Sequence, residues 1–158
     1  MGEVLHVFVC PGHRQPMKEV ESAVALEDRG LEGCHHARLR SWRQLLMMEA
    51  ETLAKLDLTP GEAKENVTVS GIDLKNAKLG TRLRVGEAEV EITAPCHPCS
   101  RMEEIRPGLQ KALEGQRGVL CRIVKSGRIR RGDPIQEELP GEAHQDFKSK
   151  AKEEPLVR

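Results

Sequence analysis

Two short clusters carry residues whose types and spacing suit chemistry. Gly33-Cys34-His35-His36-Ala37-Arg38 puts a thiol and two imidazoles in a glycine-bounded loop. Ala94-Pro95-Cys96-His97-Pro98-Cys99-Ser100-Arg101 puts two thiols, an imidazole and a guanidinium just after a strand-like run. Pro98 has no N–H, so it stiffens the approach to Cys99 and prevents strand pairing there. A rigid polar loop at a strand end displays a thiol instead of hiding it. A free thiol of pKa ~8.5 is only a few per cent ionised at neutral pH, so the cation of Arg101 favours the reactive thiolate. Three chemistries stay open. Cys96 and Cys99 have the C-x-x-C spacing of a redox dithiol, although such pairs normally open a helix and no clear helix is predicted between Ser100 and Pro107. Cys34, His36, Cys96 and Cys99 offer four N/S ligands for the zinc of a metal-stabilised binding or interaction module. A single thiolate at Cys99 in a positive pocket suits a soft transition metal or a carried sulfur atom.

Other polar residues are candidates for the surroundings of such a site. Arg43, in Ser41-Trp42-Arg43-Gln44-Leu45-Leu46, is either a solvated strand edge or an anion ligand. Asn66, Thr68 and Ser70 alternate with valines, and Gly71 permits close backbone approach. That pattern suits a phosphate or pterin ligand and equally an ordinary exposed strand face. Arg128, Arg130 and Arg131 near a turn read as a solvated edge that resists aggregation. Cys10 and Cys121 lie inside apolar strand patterns and read as core thiols.

The elements that position these residues are mostly strands. Val4–Cys10, closed by Pro11-Gly12, and Val20–Leu26, before a loop centred on Gly30 and Gly33, read as strands. Arg43–Met48 reads as a buried strand, and Glu49–Leu58 as a helix stopped by Pro60-Gly61. Asn66–Gly71 is a further strand, and Thr81–Pro95 a hairpin folded at Gly86-Glu87. In that hairpin Leu83, Val85, Val90 and Ile92 alternate with charged residues, giving each arm one dry face. Pro107–Leu113 is a second helix, and two or three strands follow around Gly127 and Gly132. Short strands with turn signals every ~8–12 residues predict a mainly β barrel or sandwich over residues 1–139. Residues 140–158 are polar, lack a usable period and are expected to form a mobile tail.

Composition narrows the function classes. The 158 residues hold 25 basic and 25 acidic side chains, so no net charge argues for nucleic acid. Aromatic residues make up 2% of the chain, with no tyrosine, so stacking platforms for bases or sugars are missing. No window approaches the ~20 apolar residues of a membrane helix, and the start lacks a signal-peptide pattern. A cytoplasmic location is expected, with the five cysteines kept as thiols.

The order of the motifs resembles the MOSC domain family, named for the C-terminal domain of molybdenum cofactor sulfurases. RGLEGCHH, SWRQLLMMEAETL, KENVTVSGIDL, LGTRLRVGEAEVEIT, APCHPCSR and RGVLCRIVKSGRIRRGDPI follow in the family's sequence over roughly residues 3–138. The resemblance implies a closed MOSC-type β-barrel with two or so short helices, and a bound molybdenum cofactor. It implies that Cys99 takes the place of the family's hallmark cysteine, a molybdenum ligand or a persulfide carrier. His36, Arg43, Asn66, Ser70 and Arg101 match polar positions near the pterin and its phosphate. The implied role is a carrier of cofactor or sulfur, or the molybdenum subunit of an N-hydroxy-compound reductase. The reductase would need a separate electron-donor protein, and the carrier a cofactor-biosynthesis partner. Pyridoxal phosphate belongs to a separate transferase domain in the sulfurases and is not expected in this chain. One departure is plain: the family commonly has Gly-Asp-x-His where this chain has Gly33-Cys34-His35-His36.

Overall fold

The computed structural model describes residues 2–139 apart from Arg14, His36 and Arg38, with Leu139 described by its backbone alone. The expected tail from Pro140 lies outside the described residues. Along the chain run β1 (Gly2–Val9), β2 (Lys18–Val20), β3 (Ser22–Leu26), β4 (Gly30–Leu31), β5 (Leu45–Glu49) and α1 (Ala50–Lys55). There follow β6 (Val67–Ser70), β7 (Arg82–Val85), β8 (Ala88–Pro95), α2 (Arg101–Ile105), α3 (Leu109–Ala112), β9 (Val119–Lys125), β10 (Gly127–Arg130) and β11 (Pro134–Leu139).

Seven strands close a barrel in the order β11-β7-β8-β9-β5-β6-β1, with β1 returning to β11 through Gly2 opposite Ile135. Closure removes the free edges that an open sheet would expose. Every neighbouring pair is antiparallel except β5 and β6. A parallel pair needs a long crossover, and here α1 with the loop to Asn66 supplies it. β2 extends the sheet beyond β1, and a separate sheet, β10-β3-β4, packs its Ala23, Ala25, Leu31 and Ile129 into the barrel core.

The hairpin alternation holds: Leu83 opposes Val90, and Arg84 opposes Glu89 on the wet face. Gly86 turns the hairpin at φ +61, where a Cβ would meet the Asp133 carboxylate and the Arg128 carbonyl. β5 does not alternate because both its faces are covered. Leu45 and Met47 point into the barrel core, Leu46 joins Ala94, Cys96 and Leu120, and Met48 joins the helices.

Four sequence expectations change. The strand expected over Val20–Leu26 is two strands broken at Glu21, because Lys18–Val20 pairs with β1 while Ser22–Leu26 pairs with β10. The loop at Gly30 contains the short β4. The helix expected to reach Leu58 ends at Lys55 and continues as a turn whose Leu58 N–H returns to the Leu53 carbonyl. The segment after Cys99, expected to carry no clear helix before Pro107, forms α2, so the described residues hold three helices. One turn suffices there because Met102 is fully buried, with Ile105 packed beside it, against Leu53, Leu58, Leu109 and Leu113. Burying a side chain of this kind is worth ~1.5–3 kcal/mol, so the two together offset much of the roughly 4 kcal/mol that a nucleation constant of ~10⁻³ implies for a first turn. No helix among the described residues is long and apolar enough to cross a membrane.

Candidate functional site

Five chain segments contribute to one cavity. They are the end of β1, the start of β5, the residues leading into β6, the loop after β8 and the start of β9. Between them lies a cavity of about 370 Å³, a size typical of sites for small ligands. Its lining brings together Arg43, Asn66, Cys96, Cys99 and Arg101, residues separated by up to 58 positions in sequence but named from sequence alone.

The loop that carries the thiols is pinned at both ends. The Cys96 N–H donates to the Gly118 carbonyl at 3.0 Å, and the Met102 N–H donates to the Cys99 carbonyl at 2.9 Å. Midway, Arg117 Nη1 donates to the His97 carbonyl at 3.4 Å. The two cysteines have opposite surroundings. Cys96 is buried, and burial pushes its thiol up, against the smaller pull of the Arg117 and Arg43 guanidinium groups. Cys99 is the exposed cysteine; the other four are buried. Burial first, with the charge of Glu91 adding to it, drives the Cys121 thiol far above the ordinary range, consistent with a core role. Cys10, expected in the core, is buried too, and its Sγ donates to the Gly12 carbonyl at 3.0 Å while facing the same cavity.

Charge in the cavity is one-sided. Arg43, Lys64, Arg101 and Arg117 line it, and no Asp or Glu is among the described lining residues. His13 and His35 stand at its rim with ring centroids 5.7 Å apart. Arg43 lies over the Trp42 ring at 5.6 Å, with its N–H donating to Ser41 Oγ at 2.9 Å. Lys64 takes φ +68, a conformation that L residues rarely adopt, between the buried Ala63 and Glu65. Left-handed backbone at a non-glycine residue clusters at binding sites, where the surrounding packing enforces it.

Asn66 lines the cavity, yet its side chain is already occupied. Oδ1 accepts the Leu46 N–H at 2.9 Å, and Nδ2 donates to the Phe8 carbonyl at 3.2 Å and to Cys34 Sγ at 3.4 Å. Its backbone adds bonds to the same two residues, from its N–H to the Leu46 carbonyl and from the Phe8 N–H to its carbonyl. The residue therefore ties β1 to β5 across the start of β6 and holds the cavity's shape. Cys34 Sγ receives a second donor, the Cys10 N–H at 3.3 Å, so the thiol stands where two N–H groups converge. Cys34 does not line the cavity with Cys96 and Cys99. Among the described residues, no group of three or more His, Cys, Asp or Glu is placed to hold a metal ion, and His36 lies outside the described residues. Ser70 sits four residues along the strand from Asn66, about 13 Å at strand rise, and is not in the lining.

Lys64, Arg117 and His13 are the site residues that sequence reasoning missed, while His35 comes from the Gly33–Arg38 cluster that the sequence already singled out. The glycine after Arg117 is visible in sequence, but its cause is not: Gly118 has φ +88, and a Cβ there would meet the Met47 carbonyl at 2.1 Å. The chain is thus pressed against β5 at that point, which turns Arg117 inward.

The described fold agrees with the comparisons. YiiM of Geobacillus stearothermophilus superposes with a TM-score of 0.73 at 19% identity, over 88% of this chain and 76% of that one. YuaD of Bacillus subtilis gives 0.72 at 18% identity, over 85% and 94%. YiiM of Escherichia coli gives 0.66 at 20% identity, over 87% and 70%. At these identities the likeness is one of fold. No curated protein matches the sequence. The MOSC domain family matches residues 28–136, more than half of the chain and including the loop of Cys99 and both of its pinning partners, and the chain belongs to that family.

Proposed function

We propose that this chain binds the molybdenum cofactor in the cavity lined by Arg43, Lys64, Cys99, Arg101 and Arg117, with the Cys99 thiolate as the metal ligand, and acts as a carrier of cofactor or sulfur. The observation that carries the reading is the lining: one exposed thiol among four cationic side chains, with no carboxylate among the described lining residues. That donor set fits the group. A soft metal takes a thiolate, and an anionic dithiolene with a phosphate takes guanidinium and ammonium groups. When bound, the cofactor supplies a redox-active molybdenum centre; the rest is the work of the chain. Arg101, two residues beyond Cys99, lines the same cavity and adds positive charge beside the thiol that would take a metal or a sulfane sulfur. Arg43 and Lys64 offset ligand charge, and Asn66 holds the strands that present them. Pyridoxal phosphate has no part in this scheme.

In the N-hydroxy-compound reductase version of the same site, electrons come from a separate donor protein. The carrier role is preferred because Cys99 is exposed. The test is to express the chain in cells that make the cofactor and to measure bound molybdenum, zinc and pterin fluorescence. Stoichiometric molybdenum and pterin are expected, with molybdenum lost in Cys99→Ser. Stoichiometric zinc without pterin would overturn the reading. Adding a chemical reductant and an amidoxime to the loaded protein separates the two roles, and no turnover is expected of a carrier.

A further inference from the structure

We propose that Arg117 forms the inner wall of an oxyanion subsite in this cavity, recognising a phosphate-type tetrahedral oxyanion beside the Cys96–Cys99 loop. Arg117 is only 8% exposed, yet no carboxylate among the described residues lies within ion-pair distance of it. Nη1 reaches the His97 carbonyl at 3.4 Å and Nη2 the Ala63 carbonyl at 3.3 Å, both longer than the ~2.9–3.0 Å of a good N–H···O bond. Nε is buried with no partner. Charged groups this deep are normally paired, because the effective penalty for burying an ion is several kcal/mol. A loop staple explains the two carbonyl contacts; it explains neither the positive charge nor the orphaned Nε.

The surroundings supply what an oxyanion needs. Arg43 acts on the Cys96 thiol together with Arg117, so two guanidinium groups direct their fields at one region of the cavity. An Arg fork offers two parallel N–H donors to a tetrahedral oxyanion, a geometry that an ammonium cannot reproduce. Because Arg117 also holds His97 and Ala63, an anion drawn to it acts on the thiol loop and on the approach to Lys64 at once. The oxyanion has two possible sources: the terminal phosphate of the cofactor, in which case the inference rests on the proposed function, or a free oxyanion sharing the cavity.

The test uses inorganic phosphate and the full chain prepared without cofactor. At constant ionic strength, balanced with chloride, the thermal midpoint of the wild type is expected to rise saturably. The rise should be about 5–10 °C when phosphate exceeds its Kd by about a hundredfold. Arg117→Met is expected to remove the rise, and Arg117→Lys to leave a weakened one. Arg117→Met should remain folded, with a midpoint in phosphate-free buffer at or above that of the wild type, since it removes an unpaired buried charge. A wild type that does not respond, or an Arg117→Met protein that responds undiminished, would overturn the inference. In cofactor-loaded protein, loss of the phosphate response assigns the subsite to the cofactor's own phosphate, and persistence assigns it to a second oxyanion. Should the chain never load cofactor, the cofactor reading fails while the phosphate result stands by itself.

Discussion

At the scale of single residues, the five cysteines are five different side chains. Cys121 is core, Cys10 donates to carbonyls, Cys34 accepts two N–H bonds, Cys96 is buried beneath the loop, and Cys99 is exposed. Thiol reagents act on the exposed thiolate, so one cysteine per native chain should react fast and four only on unfolding. Timed alkylation with mass spectrometry checks this, and Cys99→Ser should abolish the fast phase while Cys96→Ser leaves it. Asn66 and Ser70 make a second contrast. Both read as polar ligands in the same sequence motif, yet Asn66 alone is buried in a closed set of bonds. Asn66→Ala should cost about 2–4 kcal/mol in chemical denaturation, through lost bonds and an unpaired buried Leu46 N–H, whereas Ser70→Ala should cost under about 0.5 kcal/mol. Equal costs would show that the tie between β1 and β5 is not a determinant of stability.

At the scale of elements, the loop from Gly61 to Asn66 decides how Lys64 and Asn66 reach the cavity. Glu65 organises it: its Oε2 accepts the Gly61 N–H at 2.7 Å and Thr68 Oγ1–H at 2.8 Å, while Oε1 is buried without a partner. Burial raises its pKa, only partly offset by those two bonds. A carboxyl raised in the folded state contributes stability below its unfolded pKa and loses that contribution as pH rises through the folded value. Glu65→Gln keeps an acceptor for the loop and cannot ionise. The variant should therefore gain stability relative to the wild type as pH rises from about 4 towards neutral. Denaturant midpoints measured across that interval test this, and a difference independent of pH would contradict it.

This is also the scale at which the sequence was most and least informative. The β7–β8 hairpin was legible because alternating charges and a Gly86 turn both say the same thing. α2 was not, since its five residues carry only the spacing of Met102 and Ile105, and its stability comes from distant leucines. The Arg117 contribution was hidden for the same reason: the Met47 carbonyl that turns it inward is 70 positions away in sequence. What local pattern encodes could be read; what tertiary contact imposes could not.

At the scale of the whole molecule, a formal charge of zero conceals a separation of charge by partner. On the outer wall, cations are matched across strands: Arg84 lies 3.7 Å from Glu89 and 3.0 Å from Glu138, and Arg130 3.2 Å from Glu87. In the cavity, Arg43, Lys64, Arg101 and Arg117 have no carboxylate partner among the described residues. Salt should act differently on the two sets. Exposed pairs are worth ~0–1 kcal/mol each, so screening them changes stability little. An anion entering the cavity meets several cations within a Debye length of ~10 Å at 0.1 M salt, and that length shrinks to ~3 Å at 1 M. Raising sodium chloride from about 0.05 to about 0.5 M should therefore weaken phosphate binding to the cofactor-free chain several-fold. The thermal midpoint without phosphate should move by no more than about 2 °C over the same range. Titration calorimetry and thermal unfolding on one preparation give both numbers. A midpoint that falls steeply with salt while phosphate affinity stays constant would mean that the wall pairs, not the cavity, hold the consequential charge.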